Sequence, residues 1–468
     1  MTEKELFEKL RYQPKNAYEE MSQEQIQEML SMCDEYRTFL DCGKTERECV
    51  SEAERMAVEN GFLPLEKASS LRAGDKVYLV NRHKNILLAV IGSDGLENGA
   101  NIVGAHIDSP RLDLKQNPLY ESTGMALLKT HYYGGIKKYQ WTAIPLALHG
   151  VVYTKDGKQE ICIGEKDTDP VFCVTDLLPH LAKDQMNKKM IDGIEGESLN
   201  ILIGGLGVPA EDVPEKVKFK ILSVLNTLYG IREKDFLSAE LEAVPAFKAR
   251  NVGLDESMIG AYGQDDRVCA FTALKSILAI KEIPKRTAVC LLVDKEEIGS
   301  VGNTGMLSRF FEMTLAEMLE KESGSCTVTA QNRMIRNSVF LSSDVGAAVD
   351  PNYENVSEKN NSAFAGHGMI LMKYTGSRGK SGASDASAEF VHEIAEIMDS
   401  EGVVWQTGEL GKVDQGGGGT VAMYVANLNM DVIDCGVPVL SMHSPFEVTA
   451  KTDVYMAYRA YEAFYRKR

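Results

Sequence analysis

The chain is expected to fold as an α/β protein, with a mixed sheet flanked by helices and an inserted, mainly β domain. Three observations predict this. Short apolar runs alternate with turns between Lys76 and Gly104, and helix-period segments alternate with strand-like ones from Tyr262 onward. Between them, from about residue 121 to 236, aromatic and glycine-rich pieces surround a stretch rich in Lys, Asp and Glu. Alternation of this kind argues for helices layered on a sheet. The interruption divides the chain into a first part over 1–120, an insert over 121–236 and a second part over 237–468.

At 468 residues the chain can bury a large core in more than one domain. With 51 Lys and Arg against 68 Asp and Glu, the net charge of −17 disfavours nucleic acid or an anionic membrane as a partner. The opening Met1-Thr2-Glu3-Lys4-Glu5-Leu6 has no basic region leading into an apolar stretch. No window approaches the roughly 18 apolar residues of a spanning helix. A cytoplasmic protein is therefore expected. The nine cysteines are odd in number and never form a Cys-x-x-Cys pair, which argues for reduced thiols rather than disulfides or a thiolate zinc site.

Taken in order, residues 1–60 carry helical spacing, as in Ile26, Leu30, Cys33 and Tyr36. Three strands are expected at Lys76–Val80, Ile86–Gly92 and Asn101–Gly104, the last delivering Ala105-His106-Ile107-Asp108 to a loop. In the insert, Gly150–Tyr153 and Gln159–Ile163 read as strands, and part of 183–216 reads as a surface loop. After Gln264-Asp265-Asp266 a helix is expected, with Val268, Phe271, Leu274 and Ile277 on one face. The apolar run Thr287–Val293 then reads as a buried strand. Further elements are expected at Ser338–Ser342, at a helix from about Asp385 to Met398, and at Pro438–Met442.

Metal-ligand residue types follow four apolar runs: His106 with Asp108, Glu296 with Glu297, Asp344, and His443. Asp265 stands where a loop enters a helix. Adjacent glutamates at the end of a hydrophobic strand are costly unless cations or protons neutralise them. In an extended segment residues i and i+2 share a side, so Asp108 can fix the tautomer of His106. Imidazole and carboxylate donors suit zinc, manganese or cobalt. Three carboxylates and two histidines, with one carboxylate shared, would hold two ions and leave each an open position.

These stretches resemble the aspartyl aminopeptidase and vacuolar aminopeptidase I family of dinuclear zinc metallopeptidases. The resemblance is carried in order by Gly104-Ala105-His106-Ile107-Asp108-Ser109-Pro110, Gln264-Asp265-Asp266-Arg267, Glu296-Glu297-Ile298-Gly299, Ser343-Asp344 and Met442-His443-Ser444. It implies that Asp265 bridges two metals, zinc foremost, with His106 and Asp344 at one and Glu297 and His443 at the other. Asp108 would orient His106, and Glu296 would serve as general base and acid. The insert would drive assembly into a dodecamer that admits short peptides, and its His180 would reach into a neighbouring subunit's site.

The chain departs from the family pattern in two places. In His443-Ser444-Pro445-Phe446-Glu447 an expected arginine is missing, and Val345–Asp350 contains none of the histidines often found after the aspartate. Lys373 aligns with a lysine suited to reading an acidic first residue, although a lysine closing an apolar strand also serves as a snorkelling surface residue. The run Gln415–Thr420 reads as a flexible turn or as glycines that let backbone amides approach a peptide, and the resemblance implies the second, with Gly418 and Gly419 lining the substrate cleft. Thr375–Ser381 lacks the glycine spacing of a phosphate-binding loop.

The function expected is metal-dependent removal of amino-terminal residues from peptides. Two rivals differ in class. A glycosidase would use the carboxylates without metal and leave both histidines idle, and a catalytically inactive assembly or trafficking protein would keep the fold alone.

Overall fold

The computed structural model describes residues 1–468. Its main sheet has nine strands. Across it they run Leu63–Pro64, Lys76–Asn81, Asn85–Val90, Thr287–Val293, Ala100–His106, Val339–Ser343, Asp431–Gly436, Met369–Met372 and Trp405–Thr407. The four strands from Thr287–Val293 to Asp431–Gly436 pair in parallel, while antiparallel pairings occur nearer the edges.

A parallel strand covered on both faces is apolar along its whole length. Thr287–Val293 and Ala100–His106 are buried at every position. Alternate side chains supply two cores: Cys290 and Leu292 join one, and Val289, Leu291 and Val293 the other. Gly104 lets the sheet close, because a Cβ there would lie 2.1 Å from the Phe340 ring on the next strand.

Helices cover the larger core. Gln23–Cys42 and Glu46–Glu59 each begin with a capping box, Ser22 with Gln25 and Thr45 with Glu48, which satisfies backbone donors at the helix start. Gln264–Leu278 is buried on nearly every face and packs with Lys451–Lys467. The expected terminal helices are present, but Glu3–Leu10 buries nothing.

A second, antiparallel sheet of seven strands has its own core around Trp141, Leu148, Phe236 and Leu241. Its strands begin at Arg111–Ser122 and end at Glu240–Pro245, so the sheet reaches past both 121 and 236. The sequence hid this because Arg111–Ser122 carries charges that share a ladder with Glu240–Pro245. Within 183–216, residues 205–215 form a surface loop, while the rest holds two four-residue helices and the strand Ile201–Gly204.

Pro438–Leu440 is a strand, but of a five-stranded sheet with Glu447–Ala450, Met258–Ala261 and two further short strands. The main-sheet strand is Asp431–Gly436, which Asp431 and Asp434 had disguised as polar. The expected 385–398 helix spans Ala388–Ser400. No helix is long and apolar enough to cross a membrane.

Candidate metal centre and cleft

Ligands in open parallel sheets gather beyond the carboxyl ends of the strands, and three adjacent strands here deliver site residues to that edge. His106 closes Ala100–His106, Asp344 follows Val339–Ser343, and Glu296 and Glu297 form a turn just after Thr287–Val293. Asp265 enters at the buried start of Gln264–Leu278, and His443 from the loop before Glu447–Ala450. Lys295, Ser441 and His443 adopt left-handed backbone, with φ of 69°, 58° and 63°. Such positions cost about 1–3 kcal/mol each and persist where surrounding structure over-determines them.

Asp265 faces both imidazoles. Its Oδ1 lies 3.2 Å from His106 Nε2 and its Oδ2 lies 3.2 Å from His443 Nε2. Asp344 Oδ1 is 3.8 Å from His106 Nε2, and Glu297 Oε1 is 3.6 Å from His443 Nε2. Glu296 Oε2 stands 4.0 Å from His106 Nε2, on the Asp344 side. Donor atoms of His106, Glu296 and Asp344 lie within 4.8 Å of one another, as do those of His106, Asp265 and Glu297. Distance alone therefore does not separate ligand from base among the two glutamates.

The donor set fits divalent cations. Glu297 Oε1 is buried without a hydrogen-bond partner. Burial pushes the Glu296 carboxyl up to about 8 against the pull of His106, with Asp344 and Asp108 pushing the same way. Burial likewise raises Glu297 and Asp344 above the usual range. Burial also opposes ionisation of Asp265, yet its bonds to His106 and His443 hold it below that range. A pocket so crowded with carboxylates is stabilised by positive charge.

Each imidazole has its other nitrogen occupied. His106 Nδ1 lies 3.1 Å from the Asp108 carbonyl and 3.3 Å from Asp108 Oδ1. His443 Nδ1 donates to the Gly135 carbonyl at 2.7 Å. Both Nε2 atoms are thereby left as the inward-facing donors, the arrangement of a metal-binding imidazole. Asp108 also accepts from Tyr133 Oη at 2.8 Å and from the backbone N–H groups of Glu296 and Glu297 at 3.1 and 3.2 Å. Tyr133 and Gly135 belong to the second sheet and the loop after it, so both bodies build the site.

The chain matches a family model described as Aminopeptidase I zinc metalloprotease (M18) over residues 39–465. It belongs to the M18 aminopeptidases. It is 51% identical over 455 residues to a probable M18 family aminopeptidase 1 of Clostridium acetobutylicum, covering 96% of this chain and 97% of that one. The crystal structure of an M18-family aminopeptidase from Thermotoga maritima superposes with a TM-score of 0.94 at 45% identity, covering 98% of this chain and all of that one. The S. cerevisiae mApe1 dodecamer shares the fold, with a TM-score of 0.74, 19% identity and coverage of 92% of this chain and 95% of that one. The chain is thus a metallo-aminopeptidase of a zinc-dependent family, and the inactive-scaffold reading is not favoured.

The M18 centre opens into a cleft of about 710 Å³. One wall is the glycine run. Gly376–Ser377 and Gly417–Gly418 pair as a short ribbon, and Gly416 to Gly419 line the cleft. On the same cleft wall, against Gly346, Ile370 and Met372 form a small apolar cluster with Ala363. Lys373 does not line the cleft: its ammonium donates to the Ala386 carbonyl at 3.2 Å and sits 3.6 Å from Asp385. The cations on the cleft wall are instead Arg378, Lys380 and Lys412. His180 is exposed in a turn, and it contacts none of this chain's site residues by hydrogen bond or ion pair.

Sequence reasoning missed Glu447. Its Oε1 accepts the His443 N–H at 2.7 Å and its Oε2 the Asp265 N–H at 3.1 Å. Burial pushes this carboxyl up to about 8. The signal lay in the interval of four between His443 and Glu447, which reads as a departure from the family pattern only at Phe446. Tyr133 and Gly135 stood in a stretch noted for aromatics and glycine but gave no sign of reaching the site.

Proposed function

We propose that the centre holds two divalent ions, zinc foremost, with His106 and Asp344 at one, Glu297 and His443 at the other and Asp265 between them. The observation that carries this is the split of Asp265, whose two oxygens face two different imidazoles at equal distance. Bound ions would polarise the scissile carbonyl and lower the pKa of water towards about 7.

The chain's own residues supply the rest. Glu296, adjacent to the ligands and with its carboxyl raised by burial, takes a proton from the attacking water and returns it to the leaving amine nitrogen as the C–N bond breaks. Asp108 holds His106 and, through two backbone N–H groups, the turn that carries both glutamates. Gly418 and Gly419 bring backbone amides to the peptide. The apolar cluster of Ala363, Ile370 and Met372 in the cleft wall favours an uncharged first side chain. Lys373 is engaged with Asp385, which does not support acidic specificity.

The substrates are short peptides of the cytoplasm, a compartment consistent with nine free cysteines. The unit of 111–245 is read as the assembly domain and the flanking parts as one catalytic domain. Leu177, Leu178 and Leu181 are exposed around His180, a surface suited to a second copy. A dodecamer like that of mApe1 would let His180 enter the neighbour's cleft.

The test is release of amino acids from a panel of short peptides by metal-loaded protein. Hydrolysis that is lost on chelation, returns with zinc, manganese or cobalt, and is fastest for apolar first residues supports the reading. Hydrolysis indifferent to chelator, or fastest for acidic first residues, contradicts the metal or the specificity assignment respectively.

A further inference from the structure

Away from the cleft, a second group of donors joins the amino-terminal helices to the seven-stranded sheet. Glu48 lies in the first turn of Glu46–Glu59, His149 in Leu146–Thr154, and Cys162 directly opposite His149 in Gly157–Ile163. One donor atom from each lies within 4.8 Å of the other two. None of the three belongs to the catalytic cluster.

We propose that Glu48, His149 and Cys162 form a binding site for a zinc-type divalent cation at this joint. The donor types are those zinc takes, one imidazole, one thiolate and one carboxylate, with a fourth position left for water. The surroundings are organised as a metal site's are. Glu48 Oε1 faces His149 Nδ1 at 2.7 Å, while its Oε2 is fixed by the N–H groups of Lys44 and Thr45 at 3.0 and 3.1 Å. His149 Nε2 lies 3.1 Å from Glu165 Oε1, the outer carboxylate that orients a metal-bound imidazole.

Glu165 is itself held by Lys44 at 2.7 Å and Lys248 at 2.8 Å, which neutralises it and keeps it outside the ligand set. Cys162 is exposed, so an ion has a way in from solvent, whereas His149 is buried. Binding replaces the proton on His149 Nδ1 and the proton on the Cys162 thiol, releasing both.

The site is tested on assembled enzyme loaded with cobalt(II) in place of zinc, where a thiolate ligand gives a near-ultraviolet charge-transfer band. The band should appear in the parent and in Glu297→Ala, and be absent from Cys162→Ser. Cys162→Ser should bind one equivalent less metal per chain while hydrolysing peptides at the parent rate. Glu165→Gln should weaken binding at this site by about 10–100-fold. Should Cys162→Ser fail to fold, thiol alkylation of the parent decides: zinc should protect Cys162 and leave exposed Cys42 reactive. Alkylation of Cys162 unchanged by zinc, or a Cys162→Ser enzyme with the parent's metal content and band, overturns the proposal.

Discussion

Glu447 accepts the backbone N–H of Asp265 at 3.1 Å, which places a second buried carboxylate directly behind the one that faces both histidines. Its other oxygen takes the His443 N–H, so a single side chain sets two of the candidate ligands. Glu447→Ala leaves the buried Asp265 N–H and the half-buried His443 N–H without their acceptor. Metal affinity should fall by about 10–100-fold, as for loss of an outer partner. Chelator titration reads this directly, and excess metal should restore most of the activity.

Gly134 tests how the second sheet's loop supports the centre. It has φ of 73°, and a Cβ there would lie 3.2 Å from Glu297 Oε2 and 3.3 Å from Pro110. Gly134→Ala should therefore displace Glu297 and lower bound metal and turnover together. Gly124 is the control, with φ of 75° and nothing within 4 Å of its added Cβ. Gly124→Ala incurs the same backbone penalty of roughly 1–2 kcal/mol but should keep full metal content.

Asp434, which is not among the candidate ligands, gives a pH signature set mainly by its burial, to which the nearby Asp344 adds. It is buried in Asp431–Gly436 and accepts from Thr420 Oγ1 at 2.6 Å. Burial pushes its carboxyl up from 3.8 to about 7, against the pull of the Thr420 bond. The folded chain thus holds a proton that the unfolded chain has released, so stability falls as pH rises from about 4 to about 7 and is level above. Asp434→Asn keeps an acceptor for Thr420 and removes this dependence. At about pH 8 the variant should be more stable than the parent, by on the order of 2–4 kcal/mol. Near pH 5 the advantage should shrink, which thermal unfolding in one metal buffer at both pH values will report.

Much of the centre was legible because the parallel strands are continuous apolar runs that stop at polar residues. Thr287–Val293 announces itself, and Glu296 and Glu297 follow it at the sheet edge. What escaped notice depends on long-range contact. Tyr133 meets Asp108 and Gly135 meets His443 only because the second sheet folds against the catalytic edge. Asp431–Gly436 was missed for a local reason, since Asp434 is a buried acid in a strand whose apolar neighbours are too few to stand out. Lys373 aligned with a recognition residue, yet strand Met369–Met372 ends so that its side chain meets Asp385 instead of the cleft.

The division of labour between Glu296 and Glu297 is tested most directly by metal content measured alongside turnover in Glu296→Gln and Glu297→Ala. Glu296→Gln should keep both catalytic ions while turnover falls by about 10²–10⁴-fold, and Glu297→Ala should lose an ion and activity together. Because Glu296 lies as close to His106 and Asp344 as a ligand would, loss of an ion from Glu296→Gln, or parent-like turnover in it, would contradict the account.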